Sequence, residues 1–280
     1  MGKTCNIAII LAGGSGSRAA AQATTFFATT FATTFAAHNN KTPRPATPPS
    51  VSSVSRPKQF WPLGGRPLWQ HSWLRYASHP GIDKVCLVWP EAYVKEIRAA
   101  VSTFPEPVSA GTYVIAGGAE RSDSSYRALE FCQQWQVPRL RIQVFIHDAA
   151  RPLFSRRMIT ESLAQLQVGN AVVCAIPTQD SLLTKDTAGK VGRVLDRSCV
   201  MRSQTPQSFE LQTLRRAFAL HRQQAEIRVT DDISLVKHYL PDSVIHIVRG
   251  ENYNVKLTDI MDWHTLTAFY PTFQSLEKLG

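Results

Sequence analysis

Two stretches of the 280-residue chain carry residue types suited to handling phosphate. LAGGSGSR, residues 11–18, sets Gly13, Gly14 and Gly16 directly after an apolar run and ends on Arg18. Residues without a Cβ let backbone N–H groups close on a phosphate, and an always-charged guanidinium at the loop's end suits a polyphosphate. The run is not G-x-G-x-x-G, because Ala19 stands where the third glycine belongs, and no G-K-[ST] follows to make a P-loop. A structural turn with a surface arginine accounts for it equally well. In VFIHDAARPLF, residues 144–154, Asp148 ends an apolar run and Arg151 follows three residues later. A carboxylate there can hold a metal or a hydroxyl, and the cation can meet a phosphate. The simpler alternative is a strand-end salt bridge, with His147 a packed histidine rather than a catalyst.

Four shorter pieces are ambiguous one by one. GGAERSDS (117–124) reads as a helix N-cap on Ser122 or Asp123, and QTPQSF (204–209) as a turn into a helix. In NYNVKLTD (252–259) Lys256 reads as a solvated charge, and TDDISL (230–235) has the residues of a helix start.

The elements that must position these groups alternate in type. Strand patterns fall at CNIAIILAGG, KVCLVW, GTYVIAGG, IQVFIHD and NAVVCAIP. Helical patterns between and after them cover residues 67–80, 91–101, 120–135 and 155–167. This rhythm predicts an α/β fold, a mostly parallel sheet with helices on both faces, whose ligands sit at the carboxyl ends of the strands. Residues 178–204 break the rhythm with a turn at KDTAGK and read as a protruding β-arm, a natural surface for a second subunit. Two helices (210–224 and 231–240), a strand (244–250) and a closing helix complete one domain over 1–280.

Residues 19–55 are the outlier. They hold a Thr-Thr-Phe-Ala repeat and then a Pro, Ser and Thr-rich tract, with no Asp or Glu. Phe27, Phe31 and Phe35 would share one helical stripe, but threonine is a modest helix former and prolines follow, so a disordered low-complexity insertion is the expected state.

Composition narrows the function class. The net charge of +10 comes from dispersed basic residues apart from Arg156–Arg157 and Arg215–Arg216, and no nucleic-acid motif is present. No apolar run approaches the roughly 20 residues a bilayer crossing needs. The five cysteines form no C-x-x-C pair and no His cluster accompanies them, so reduced thiols in a cytoplasmic protein are expected. Small polyanionic substrates remain the partners the charge suits, with neither nucleic acid nor membrane expected.

In order along the chain, LAGGSGSR, RPKQFWPLGGRPL, GGAERSDS, HDAARP, DRSCVMRSQTPQSF, TDDISLV and NVKLTD resemble the 2-C-methyl-D-erythritol 4-phosphate cytidylyltransferases of non-mevalonate isoprenoid synthesis. The resemblance spans the chain except the repeat, and the ribitol 5-phosphate cytidylyltransferases share most of it. It implies a Rossmann-like nucleotidyltransferase that moves CMP from CTP to a sugar-alcohol phosphate, needs Mg2+, and forms a homodimer through the β-arm. CTP binding then falls on Ala12, Gly13, Gly14, Gly16, Arg18, Lys58, Gly118, Ser124, Asp148 and Ala149. Sugar-phosphate binding falls on Arg151, Asp180, Ser181, Arg197, Thr205 and Lys256, with the arm residues coming from the partner. Arg18 and Lys58 are expected to stabilise the transition state, and Arg197 and Lys256 to aim the nucleophile. Two residues depart from the family pattern: Ala119 stands where an acid is common, and Ser181 replaces a threonine. A non-catalytic nucleotide-binding relative is the alternative from another class, and a Rossmann dehydrogenase is disfavoured by the missing third glycine.

Overall fold

The computed structural model describes residues 3–13, 56–106, 108–224 and 226–279. Gly14, Gly16, Arg18 and the insertion at 19–55 lie outside the described residues. In chain order come β1 (Lys3–Leu11), a 3-10 turn (Lys58–Phe60), β2 (Pro62–Leu63), β3 (Arg66–Pro67), α1 (Leu68–Ala77), β4 (Lys84–Trp89) and α2 (Glu91–Ser102). Then follow β5 (Thr112–Ala116), α3 (Arg121–Cys132), β6 (Leu140–Asp148), α4 (Arg156–Val168) and β7 (Ala171–Pro177). The chain ends with β8 (Leu183–Lys185), β9 (Val191–Val194), β10 (Met201–Glu210), α5 (Leu211–Gln224), α6 (Asp232–Tyr239), β11 (Ile245–Arg249) and α7 (Ile260–Leu279).

Strand β1 shows why the sheet is covered twice. Side chains alternate across a strand. Ala8 and Ile10 pack with Trp73 of α1, Ile97 of α2 and Ile159 of α4, while Ile7 and Ile9 pack with Leu129 of α3, Phe218 of α5 and Val236 of α6. Each aliphatic side chain buried in this way contributes about 1.5–3 kcal/mol. The seven-stranded order is β11-β7-β10-β6-β1-β4-β5, and every pairing is parallel except those of β10 with β6 and β7. A third apolar cluster lies at one side, where Trp61, Leu153 and Leu257 pack on Trp263 and Leu266 of α7.

QTPQSF is not a turn into a helix but the middle of β10, and Met201 to Gln204 belong to the main sheet rather than to the arm. Pro206 lacks the donor a central strand needs, and the register shift between Gln204 and Gln207 accommodates it at a bulge. The arm proper is the β8–β9 hairpin, whose turn carries Gly189 at φ +82°, a backbone state that favours glycine.

Candidate active site

Strands β1, β4, β5 and β6 end at one edge, and their last residues are tied to each other. Ala12 N–H donates to Val88 O at 2.9 Å, Gly117 N–H to Trp89 O at 2.7 Å, and Ala149 N–H to Leu11 O at 3.0 Å. Ala12, Gly13, Gly118, Asp148 and Ala149 therefore gather on one rim, where a parallel sheet offers its ligand crevice.

Asp148 is the charged centre of that rim. Its Oδ1 accepts from Arg121 Nε at 3.1 Å, and its Oδ2 meets Lys256 Nζ at 2.8 Å and Arg151 Nε at 3.8 Å. Burial pushes the carboxyl pKa up, but Arg121, Lys256 and Arg151 together outweigh it and hold the group well below the ordinary carboxylate range. Burial in turn lowers the pKa of Arg151, against the pull of Asp148. The salt-bridge reading and the cation cluster are thus one feature: a single ionised carboxylate faces three cations.

Behind the rim a hydrogen-bond chain fixes the backbone. A carbonyl can only accept, so His147 Nε2, 2.9 Å from Arg151 O, carries the ring proton, and Nδ1 accepts from the Thr205 hydroxyl at 3.1 Å. Thr205 Oγ1 also accepts from Asp148 N–H at 3.2 Å. Burial drives the His147 pKa down to about 4, so the ring is neutral at pH 7, a packed histidine as its sequence context suggests. The only hydroxyl proton of Thr205 is committed to His147. In this arrangement Thr205 shapes the Asp148 turn and has no proton left to donate to a phosphate.

The loop from Gly250 to Leu257 delivers Lys256. Asn254 Nδ2 donates to Thr205 O at 2.9 Å, Arg151 Nη1 donates to Asn254 O at 2.8 Å, and Leu257 N–H donates to Ala150 O at 2.8 Å. Lys58 reaches the same loop from a distant part of the chain, its Nζ donating to Leu257 O. Its 3-10 turn is anchored by fully buried Trp61, which meets Trp263 edge-to-face with ring centroids 5.5 Å apart.

The turn at 117–124 is held by Ser124. Its Oγ accepts from Gly118 N–H at 3.1 Å and donates to Glu120 O at 3.1 Å. A Cβ at Gly118 would stand 2.1 Å from Asp123 Cβ, so the close turn requires glycine there. The helix cap is Glu120 rather than Ser122 or Asp123; Asp123 Oδ2 instead accepts from Glu120 N–H at 3.1 Å.

Asp180, Ser181 and Arg197 stand apart, all exposed on the arm. Arg197 Nη1 donates to Gln179 O at 3.4 Å, and among the described residues none of the three bonds to the Asp148 cluster. No three His, Cys, Asp or Glu side chains of the described residues are placed to hold a metal ion.

Arg121 and Asp232 are the site residues that the sequence reading left unassigned. Arg121 lies inside GGAERSDS and Asp232 inside TDDISL, and both segments passed as helix starts. Asp231 is indeed the cap of α6, accepting from Ser234 N–H at 2.9 Å.

The sequence profile described as 2-C-methyl-D-erythritol 4-phosphate cytidylyltransferase matches residues 51–270. The protein of that name from Thermobifida fusca (strain YX) is 34% identical over 227 residues, covering 78% of this chain and 87% of its own length. The bifunctional ribulose 5-phosphate reductase/CDP-ribitol pyrophosphorylase of Haemophilus influenzae is 31% identical over 263 residues, 94% of this chain but 47% of the relative. Among solved structures, the 2-C-methyl-D-erythritol 4-phosphate cytidylyltransferase of Thermus thermophilus is 28% identical with a TM-score of 0.60, over 77% of this chain and 94% of that one. The 4-diphosphocytidyl-2C-methyl-D-erythritol synthase of Anaerococcus prevotii, 21% identical with a TM-score of 0.71 over 96% of each chain, shares the fold.

Proposed function

The chain belongs to the 2-C-methyl-D-erythritol 4-phosphate cytidylyltransferase family, and we infer from this that it transfers CMP from CTP to 2-C-methyl-D-erythritol 4-phosphate, releasing pyrophosphate. The observation in its own atoms that carries the reading is the convergence of Arg121, Arg151 and Lys256 on Asp148 at the carboxyl edge of the sheet.

The acceptor's phosphate oxygen is already anionic when it attacks the α-phosphorus of CTP in line, so no general base is needed. A neutral, buried His147 is consistent with that. The work is bringing two anions together and stabilising charge in the transition state. Arg151 and Lys256 are placed to receive the acceptor's phosphate, and Lys58 holds the carbonyl next to Lys256, so one short loop links the cations assigned to the two substrates. Arg18 is assigned to the triphosphate with Lys58. When bound, Mg2+ supplies further charge neutralisation on the phosphates. Among the described residues the rim offers it one carboxylate, Asp148, and no cage, which suits an ion held mainly by substrate oxygens and water.

The arm calls for a second copy of the chain. Leu183, Val191 and Val194 are 56%, 63% and 72% exposed, more than a short isolated hairpin sustains without a partner. A homodimer covers these side chains and brings Asp180, Ser181 and Arg197 to the neighbouring site. A cytoplasmic setting accords with five free cysteines, and no described helix is long and apolar enough to cross a membrane.

The relative from Haemophilus influenzae, which aligns with nearly all of the chain, supports ribitol 5-phosphate as the competing acceptor. Pyrophosphate release from CTP and Mg2+, with each acceptor offered separately, decides between them. Release with methylerythritol phosphate is the expected result, and release with ribitol 5-phosphate alone reassigns the substrate.

A further inference from the structure

Arg121 joins two carboxylates from distant segments. Nε donates to Asp148 Oδ1 at 3.1 Å and Nη1 to Asp232 Oδ2 at 2.7 Å. Asp232 is fully buried, and its Oδ1 has no hydrogen-bond partner among the described residues. Its backbone N–H donates to Gln207 Oε1 at 3.0 Å, so the anchor is rigid. A buried carboxylate is expensive, and an apolar pair of the same volume would serve stability as well or better. The arrangement instead turns one side of the guanidinium onto Asp148, whose other oxygen faces Lys256 and Arg151 at the rim.

The charges give this geometry a consequence. If only Lys256 and Arg151 balanced Asp148, its negative charge would compete directly with an incoming phosphate for both of them. The Arg121–Asp232 pair carries no net charge, so its effect is one of orientation: Arg121 engages Oδ1 and leaves Oδ2 turned to Lys256 and Arg151, which together outweigh Asp148 by one positive charge. Arg121 also ties the 117–124 turn to the strand end at Asp148, both assigned to the nucleotide, beside Arg151 and Lys256, which are assigned to the acceptor.

We propose that Arg121 is a positioning residue for the transfer reaction: anchored on Asp232, it orients Asp148 so that Arg151 and Lys256 are presented to the acceptor's phosphate. The proposal rests on the cytidylyltransfer reading.

Arg121→Gln alone strands a buried charge on Asp232 and is expected to destabilise the fold, so the informative variant is Arg121→Gln/Asp232→Asn, which removes both charges. On the full chain, thermal melting, calorimetric CTP affinity, and kcat and KM for methylerythritol phosphate are compared with the wild type. The double variant is expected to melt near the wild type and to keep CTP affinity within about threefold, while KM for the acceptor rises about tenfold or more. Arg121→Lys, which keeps the charge but reaches only one carboxylate, is expected to fall between. A folded double variant with wild-type KM and kcat overturns the proposal, as does a loss of CTP affinity matching the rise in KM. A separate titration with inorganic phosphate distinguishes the two levels of inference. A wild-type protein that transfers nothing overturns the functional reading, and equal phosphate affinity in wild type and double variant overturns the role of Arg121 whatever the turnover.

Discussion

The Asp148 rim and the β8–β9 arm hold the two halves of the assigned site, and they are built in opposite ways. At the rim, Asp148, Thr205, His147 and Arg151 are buried or nearly so, and each is fixed by partners from other segments. At the base of the arm, Asp180, Ser181 and Arg197 are exposed beside a hairpin whose aliphatic side chains also face outward. Low dielectric makes the rim's interactions strong and its loss of a partner expensive, whereas screened surface groups add little until something covers them. One half is organised within the chain, and the other is the half that the proposed homodimer would cover.

The strongest test of the rim is Asp148→Ala. It leaves three cations without their shared counter-charge in a mostly buried setting, and about 3–5 kcal/mol of stability should be lost along with turnover. A urea midpoint equal to that of the wild type would erase the contrast with the arm. Lys58→Ala sharpens the division within the rim. The residue sits outside the Asp148 cluster proper, so folding and CTP affinity should be nearly normal while kcat falls about 10²–10³-fold, the range for losing one transition-state donor. Steady-state kinetics with a parallel CTP titration reads this, and unaltered turnover removes Lys58 from the mechanism.

For the arm, the prediction concerns assembly. Lys256→Ala and Arg197→Ala each disable the site, but if the arm serves its neighbour, mixed dimers contain one intact site. Equal mixing with subunit exchange should then restore roughly a quarter of wild-type activity. No recovery in mixtures that demonstrably exchange subunits would place Arg197 in the site of its own chain.

This contrast also explains what the sequence could reveal. Strands β1, β4 and β6 were legible because apolar runs between turn signals mark a sheet covered on both faces, and the arm because KDTAGK separates two loosely alternating stretches. Strand β10 was not, because its buried residues Gln204, Thr205, Gln207 and Ser208 are polar and it contains Pro206, so hydropathy and turn chemistry both pointed away from a central strand. The family resemblance singled out Lys58 and Lys256, which have no distinctive local pattern. Arg121 escaped because its meaning depends on Asp232, 111 residues further along the chain, and local spacing carries no trace of that contact.

The smallest predicted effect concerns the hydrogen-bond chain behind the rim. His147 titrates near 4 in the folded protein against an ordinary value of 6.5, because burial disfavours its charged form. Between those values the unfolded chain binds the proton that the native state refuses. Stability is therefore complete above about pH 6.5 and declines as the pH falls toward 4, by up to about 3 kcal/mol from this group. Asp148 acts in a different window: its folded pKa is depressed, so its contribution is lost only as the pH falls below the ordinary carboxylate range. His147→Gln should flatten the decline in urea midpoints between pH 6.5 and 4, leaving the smaller slopes of His71 and His79, whose pKa values burial also lowers. An undiminished slope would mean that His147 is solvated or already charged. Its Nδ1 would then no longer hold the Thr205 proton, and Thr205 could donate to the acceptor's phosphate directly.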